Sequence, residues 1–142
     1  TRTGVETIMW LLNAGLDPVK IAESLSGVII QRLVRRVCKK CAKPAKLHAG
    51  TIEALGLPID PDGGWVRGYG CVACNGAGYK GKTAIFEIIP IREEVKEVIR
   101  QNPSKLLLDK ALRKLKIRTL RQAGLLRAKA GITTVTELLR VT

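Results

Sequence analysis

The sequence predicts an α+β chain, mostly helical, with a short antiparallel strand pair, a four-cysteine lobe and a C-terminal helical bundle. Three observations predict it. Apolar residues recur at helical spacing near both ends of the chain. Two β-rich runs lie in the middle. All four cysteines fall between those runs, in two C-x-x-C pairs.

The first helix covers residues 4–13, where Val5, Ile8, Met9 and Leu12 share a face, and Gly15 follows as a stop signal. Asp17 then reads as an N-cap and Pro18 as the first helical residue. Ile21, Leu25, Val28 and Ile29 continue that second helix. The run 31–37 is predicted as a strand, and its partner is 83–89, ended by Pro90. Between them, Pro58, Pro61 and Gly63-Gly64 mark loops, and 51–55 is a short helix. Beyond Pro90 all is helical: one helix over 92–101, then another after Asn102-Pro103-Ser104 bearing Leu108, Ala111, Leu112 and Leu115. Thr119 to Gln122 and Thr134 to Glu137 both fit the S/T-x-x-E/Q capping box, and Gly131 separates the last two helices as a C-cap.

With 142 residues, 46% hydrophobic and 26% charged, the chain is ample for a buried core and far from the composition of disorder. One Phe, two Tyr and two Trp make that core aliphatic. No apolar run approaches the roughly 18 residues that span a membrane. The start has no Met and no signal-peptide pattern, as expected for a piece of a longer chain. Lys and Arg number 25 against 12 Asp and Glu, a net +13, which points to a phosphate-bearing or acidic partner or to plain solubilisation.

Cys38, Cys41, Cys71 and Cys74 carry the sharpest chemistry. Each C-x-x-C turn brings two thiolates within reach of one ion, and two turns complete the tetrahedral shell of a structural Zn²⁺. Disulfide or thioredoxin-like redox chemistry is the alternative, although one pair would suffice for the latter. Four thiolates leave no open position for water, so the predicted metal is structural. Closing such a loop costs roughly 3 kcal/mol, whereas structural zinc returns on the order of 10 kcal/mol. Lys39, Lys40 and Lys43 would offset the negative charge of the site. His48, the single histidine, could replace a cysteine, but four thiols already fill the shell.

After the second pair, Gly76-x-Gly78-x-x-Gly81 formally matches a dinucleotide fingerprint. It neither follows an apolar strand nor opens a helix, and we reject it. C-x-x-C-x-G-x-G also looks like one zinc repeat of the DnaJ chaperone family, which uses four such repeats where this chain has one. No P-loop is present, and no Ser or Cys nucleophile has a plausible His partner. The chain alone should catalyse nothing.

Five segments in order resemble the C-terminal portion of the type II secretion and type IV pilus assembly ATPases: 14–18; 24–38; Cys71 through Glu87; 118–121; and 131–141. The resemblance implies a cytoplasmic, hexameric ATPase, peripheral at the inner-membrane face. Its P-loop and Mg²⁺ motif would lie upstream, so ATP and Mg²⁺ belong to the full-length parent. It further implies that residues 1–37 end a RecA-like motor domain, that 38–82 form the four-cysteine zinc lobe, and that 83–142 add a strand and a helical subdomain. Partners would be neighbouring subunits of the homohexamer and an inner-membrane platform protein, with no specific nucleic acid. Thr1 matches the residue after the family's histidine box, and Arg2 departs from the Asn usual there. Arg32 is a candidate for a phosphate contact near the motor's sheet, the plain alternative being an exposed strand arginine. Two other classes compete: a basic zinc-ribbon module that binds nucleic acid, for which stacking aromatics are scarce, and a chaperone-like zinc module.

Overall fold

The computed structural model describes residues 3–142; Thr1 and Arg2, on which the histidine-box match falls, lie outside the described residues. The elements in chain order are α1 (Gly4–Asn13), α2 (Pro18–Ser24), β1 (Gly27–Val37), β2 (Ala42–Pro44), α3 (Ala49–Leu55) and β3 (Val66–Gly68). A 3₁₀ turn (Val72–Cys74), β4 (Tyr79–Pro90), α4 (Glu93–Arg100), α5 (Lys105–Lys114), α6 (Leu120–Lys129) and α7 (Val135–Val141) follow. The result is a mixed fold of helices and small antiparallel sheets. By their contacts the residues fall into two units, one of 1–30 with 86–118, the other of 31–85 with 119–142.

In the first unit, local signals set the helix ends. The Thr3 hydroxyl accepts the Glu6 N–H at the start of α1, and the Asp17 carboxylate accepts the Val19 N–H at 2.8 Å ahead of Pro18. The second helix is shorter than its periodicity suggests. It stops at Ser24, Leu25 turns extended, and Val28 and Ile29 belong to β1. The run Val28-Ile29-Ile30 is β-branched throughout, which favours a strand, and burial alternates along it: Val28 and Ile30 inside, Ile29 outside. α2 packs on α4, α4 on α5, and α1 on both α2 and α5. Ile8, Ala22, Val95, Ile99 and Leu108 are wholly buried, an aliphatic core as the composition implies. α5 begins after Asn102, which takes positive φ, and Ser104 caps it.

β1 and β4 pair as the sequence predicts, but both are longer than 31–37 and 83–89; β2, α3, β3, α6 and α7 lie within the second unit. The strands are antiparallel. The Ser26 carbonyl accepts the Ile91 N–H at the start of β1, and the Gly78 carbonyl accepts the Cys38 N–H at its end. A second ribbon was not expected: β2 and β3 pair antiparallel, Ala42 with Gly68, Lys43 with Arg67 and Pro44 with Val66. The core gathers Val34, Leu55, Trp65, Ile85, Leu120, Ala128, Val135 and Leu138, with α7 against α3 and α6. Gly124 of α6 admits this packing, because a β-carbon there would strike the Leu138 side chain. The Trp65 indole N–H donates to the Asp60 carbonyl at 2.7 Å, which lets the ring sink into the core.

The two capping boxes fare differently. Thr119 and Gln122 make the full reciprocal pair. At α7 only half forms: Thr134 accepts the Glu137 N–H, and the Glu137 carboxylate is drawn elsewhere. Gly131 takes φ +70° just after α6, as its C-cap reading requires.

Candidate metal centre

The four cysteines converge at the root of the two ribbons. Cys38 directly follows β1, Cys41 directly precedes β2, and Cys71 and Cys74 lie at the 3₁₀ turn that leads into β4. Each pair sits on a tight turn: the Cys41 N–H donates to the Cys38 carbonyl at 3.2 Å, and the Cys74 N–H to the Cys71 carbonyl at 3.1 Å. The second turn closes through Asn75 and Gly76, both at positive φ, so the Gly76 N–H also reaches the Cys71 carbonyl. The glycine-rich string beyond Cys74 therefore shapes a cysteine knuckle and leads into β4, opening no helix.

Gly78 lies hard against Gly68. It has φ +73°, and a β-carbon on it would collide with the Gly68 backbone, as one on Gly68 would with Gly78. This contact seats the knuckle on β3.

All four Sγ atoms lie within 4.8 Å of one another. Three of the separations, Cys38 to Cys71, Cys41 to Cys74 and Cys71 to Cys74, are 3.8 Å. A disulfide needs about 2.05 Å, so these thiols are free. A tetrahedral ion with bonds of about 2.3 Å to sulfur sets its ligands about 3.8 Å apart, so the donor set fits zinc in both chemistry and size. Among the described residues, the four cysteines are thus positioned to bind a metal ion.

The surroundings bias the sulfurs. Burial pushes the Cys74 thiol up, but N–H groups of Cys71 and Gly78, each 3.3 Å from its Sγ, outweigh that and hold it at about 7. Burial drives Cys41 the other way, to about 11, in the absence of a metal charge. A bound cation would supply what the apolar setting withholds. Cys38, Cys41 and Cys74 are buried and Cys71 is half-buried, whereas Lys39, Lys40 and Lys43 are exposed. His48 is not part of the cluster. It stands exposed at the N-cap of α3 and makes no capping bond there.

Arg32 lies half-buried on β1, where its Nη1 donates to the adjacent Gln31 carbonyl at 3.0 Å.

Sequence reasoning missed an ionic cluster beside the lobe. Glu137, 1% exposed, receives the Arg35 N–H at 2.9 Å, the Arg35 guanidinium at 2.6 Å and the Arg140 guanidinium at 2.8 Å. Burial alone would raise this carboxyl, yet the Arg140 and Arg35 hydrogen bonds outweigh it and hold it at about 2. Arg35 also lies 4.2 Å from the centroid of the Tyr79 ring, whose hydroxyl meets the Thr134 hydroxyl at 2.8 Å. The S/T-x-x-E pattern marked Glu137, but as a cap; its partner 102 residues away left no local trace.

Residues 1–140 match the family described as type II/IV secretion system protein. The chain is 37% identical to a type IV pilus assembly ATPase, PilB, of Thermus thermophilus, over 98% of this chain and 16% of that protein. It is 35% identical to the type II secretion system protein HxcR of Pseudomonas aeruginosa, over 100% of this chain and 27% of the relative. It is 33% identical to the type II secretion system protein E of Aeromonas hydrophila, over 100% and 28%. The chain thus spans less than a third of the length of these relatives. A family match over residues 1–140 leads to one conclusion: the chain belongs to the type II/IV secretion system protein family.

Proposed function

We propose that this chain is the structural, force-transmitting C-terminal part of a hexameric cytoplasmic ATPase that powers type II protein secretion or type IV pilus assembly. The observation that carries the reading is the four-cysteine geometry, three of the sulfur separations 3.8 Å and all within 4.8 Å, in a chain of this family. Zn²⁺ held by Cys38, Cys41, Cys71 and Cys74 ties two turns and two ribbons together. It performs no chemistry. ATP and Mg²⁺ act at a P-loop outside this chain, and their turnover moves domains against one another. A stiff lobe passes that motion to neighbouring subunits and to an inner-membrane platform protein; a floppy one would absorb it. Residues 1–37 complete the motor domain in this reading, 38–82 are the zinc lobe, and 83–142 the closing strand and helices. Arg32 on β1 is the candidate phosphate contact in this reading, its alternative being a strand arginine that bonds the Gln31 carbonyl. The protein sits at the inner-membrane face without crossing it, in keeping with the absence, among the described residues, of any helix long and apolar enough to do so.

The test is the full-length protein with Cys71→Ser. Secretion or piliation in cells should fall sharply while nucleotide binding persists; unchanged transport would overturn the reading. The net +13 favours one second reading, a basic zinc-ribbon that binds nucleic acid. A steep salt-dependent affinity for generic DNA at physiological salt would support it, and none would dismiss it.

A further inference from the structure

We propose that the second unit carries a binding site for a small anion with a planar ring, of the nucleoside monophosphate class, in the cavity between β3 and the turn joining α6 to α7. The cavity holds about 310 Å³, at the lower end for small-molecule sites. Its walls come from segments far apart in sequence: 45–48 beyond β2, 65–69 along β3, Tyr79 at the start of β4, and 133–136 before α7. Only the folded unit brings them together.

Charge sets the sign of the ligand. Lys46, His48 and Arg67 line the cavity, and no Asp or Glu does. Lys46 pairs with Asp62, which lies off the lining, and both side chains are exposed, so the pair is weak. Arg67 has no acidic partner among the described residues; its guanidinium instead lies 5.9 Å from the Tyr69 ring centroid. In the unit as a whole, Lys and Arg outnumber Asp and Glu fourteen to four, so the local field favours anions.

Shape sets its class. Tyr69 is 60% exposed, a large ring left uncovered at the cavity edge beside a guanidinium, which together offer a stacking platform to a planar ring. Hydroxyls of Thr51 and Thr136 also line the cavity and could meet a sugar or phosphate, whereas those of Thr133, Thr134 and Tyr79, on the same lining, already bond within the protein. A guanidinium takes two phosphate oxygens at once, and that fork gives Arg67 the leading role. The proposal stands apart from the secretion reading, because it concerns neither the cysteines nor a motor.

The experiment is an NMR titration of the zinc-loaded chain with AMP, adenosine and inorganic phosphate separately. AMP should shift the Trp65 indole N–H and the amides of 133–136 saturably, and raised salt should weaken it. Adenosine or phosphate alone should bind at least tenfold more weakly. Arg67→Ala and Tyr69→Ala should each weaken AMP about tenfold with zinc content unchanged, and the control Arg127→Ala, off the lining, should not. Three results would each overturn the proposal: no saturable shift in the parent chain, a response to phosphate alone equal to that to AMP, or Arg67→Ala binding as tightly as the parent.

Discussion

The Glu137 carboxylate holds Arg35 by main chain and side chain at once: Oε1 accepts the Arg35 N–H at 2.9 Å, and Oε2 accepts its guanidinium at 2.6 Å. One acid on α7 thereby fixes both the position of a β1 residue and the direction of its side chain. Arg140 completes the arrangement from one helical turn further on.

Removing this carboxylate should destabilise the second unit. Glu137→Ala leaves the Arg35 N–H without its partner and two guanidinium groups without a counter-charge, and those groups are half-exposed, which limits the loss. We expect about 2 kcal/mol, read as a lowered midpoint in urea unfolding. Glu137→Gln, which keeps the shape, should lose less.

The same group gives acid sensitivity a definite window. Its folded-state value, about 2, lies below the ordinary 4.5, so the stabilisation is complete above about pH 4.5 and is lost as pH falls towards 2. The shift corresponds to about 3 kcal/mol at most. Urea midpoints measured from pH 6 to pH 2 should fall more steeply for the parent than for Glu137→Gln. Parallel curves would refute the assignment.

Metal analysis should return about one zinc per chain. Cys71→Ser, or a strong chelator, should speed amide exchange across residues 38–82 while α4 and α5, which belong to the other unit, keep their protection. Material that is metal-free and equally protected would show that the thiols do not organise the lobe.

Gly78→Ala should damage the lobe without touching a cysteine. The residue has φ +73°, its N–H bonds to the Cys74 Sγ, and its carbonyl receives the Cys38 N–H. A methyl group there meets the Gly68 backbone as well. We expect a loss of about 2 kcal/mol or more and weaker zinc in competition with a chromophoric chelator.

What the sequence discloses is what acts over a few residues. Asp17-Pro18 and Thr119 to Gln122 specify helix starts through bonds to neighbours two or three positions on, and the structure has both. The C-x-x-C spacing works the same way, since each turn is local and only the meeting of the two is not. The overrun of the second helix has an equally plain cause: Ile21, Leu25, Val28 and Ile29 satisfy a helical period, but β-branched residues in series satisfy a strand better once a partner is available. β2 and β3 had no signal to give. Ala-Lys-Pro and Val-Arg-Gly are three residues each, without alternation, and they pair because the knuckles hold them side by side. Glu137 was visible only as a helix cap, because nothing near it names Arg35.

The segment from Ile132 to Glu137 has a protective consequence for β1. The Val37 N–H donates to the Ile132 carbonyl, the Thr133 hydroxyl donates to the Arg35 carbonyl, and the Arg35 N–H donates to Glu137. Each is a group that a lone ribbon would present to any extended peptide drifting past. A chain cut short before Ile132 would bare that rim, and with Leu33 already half-exposed beside it, such a truncation should stick to its own kind and precipitate.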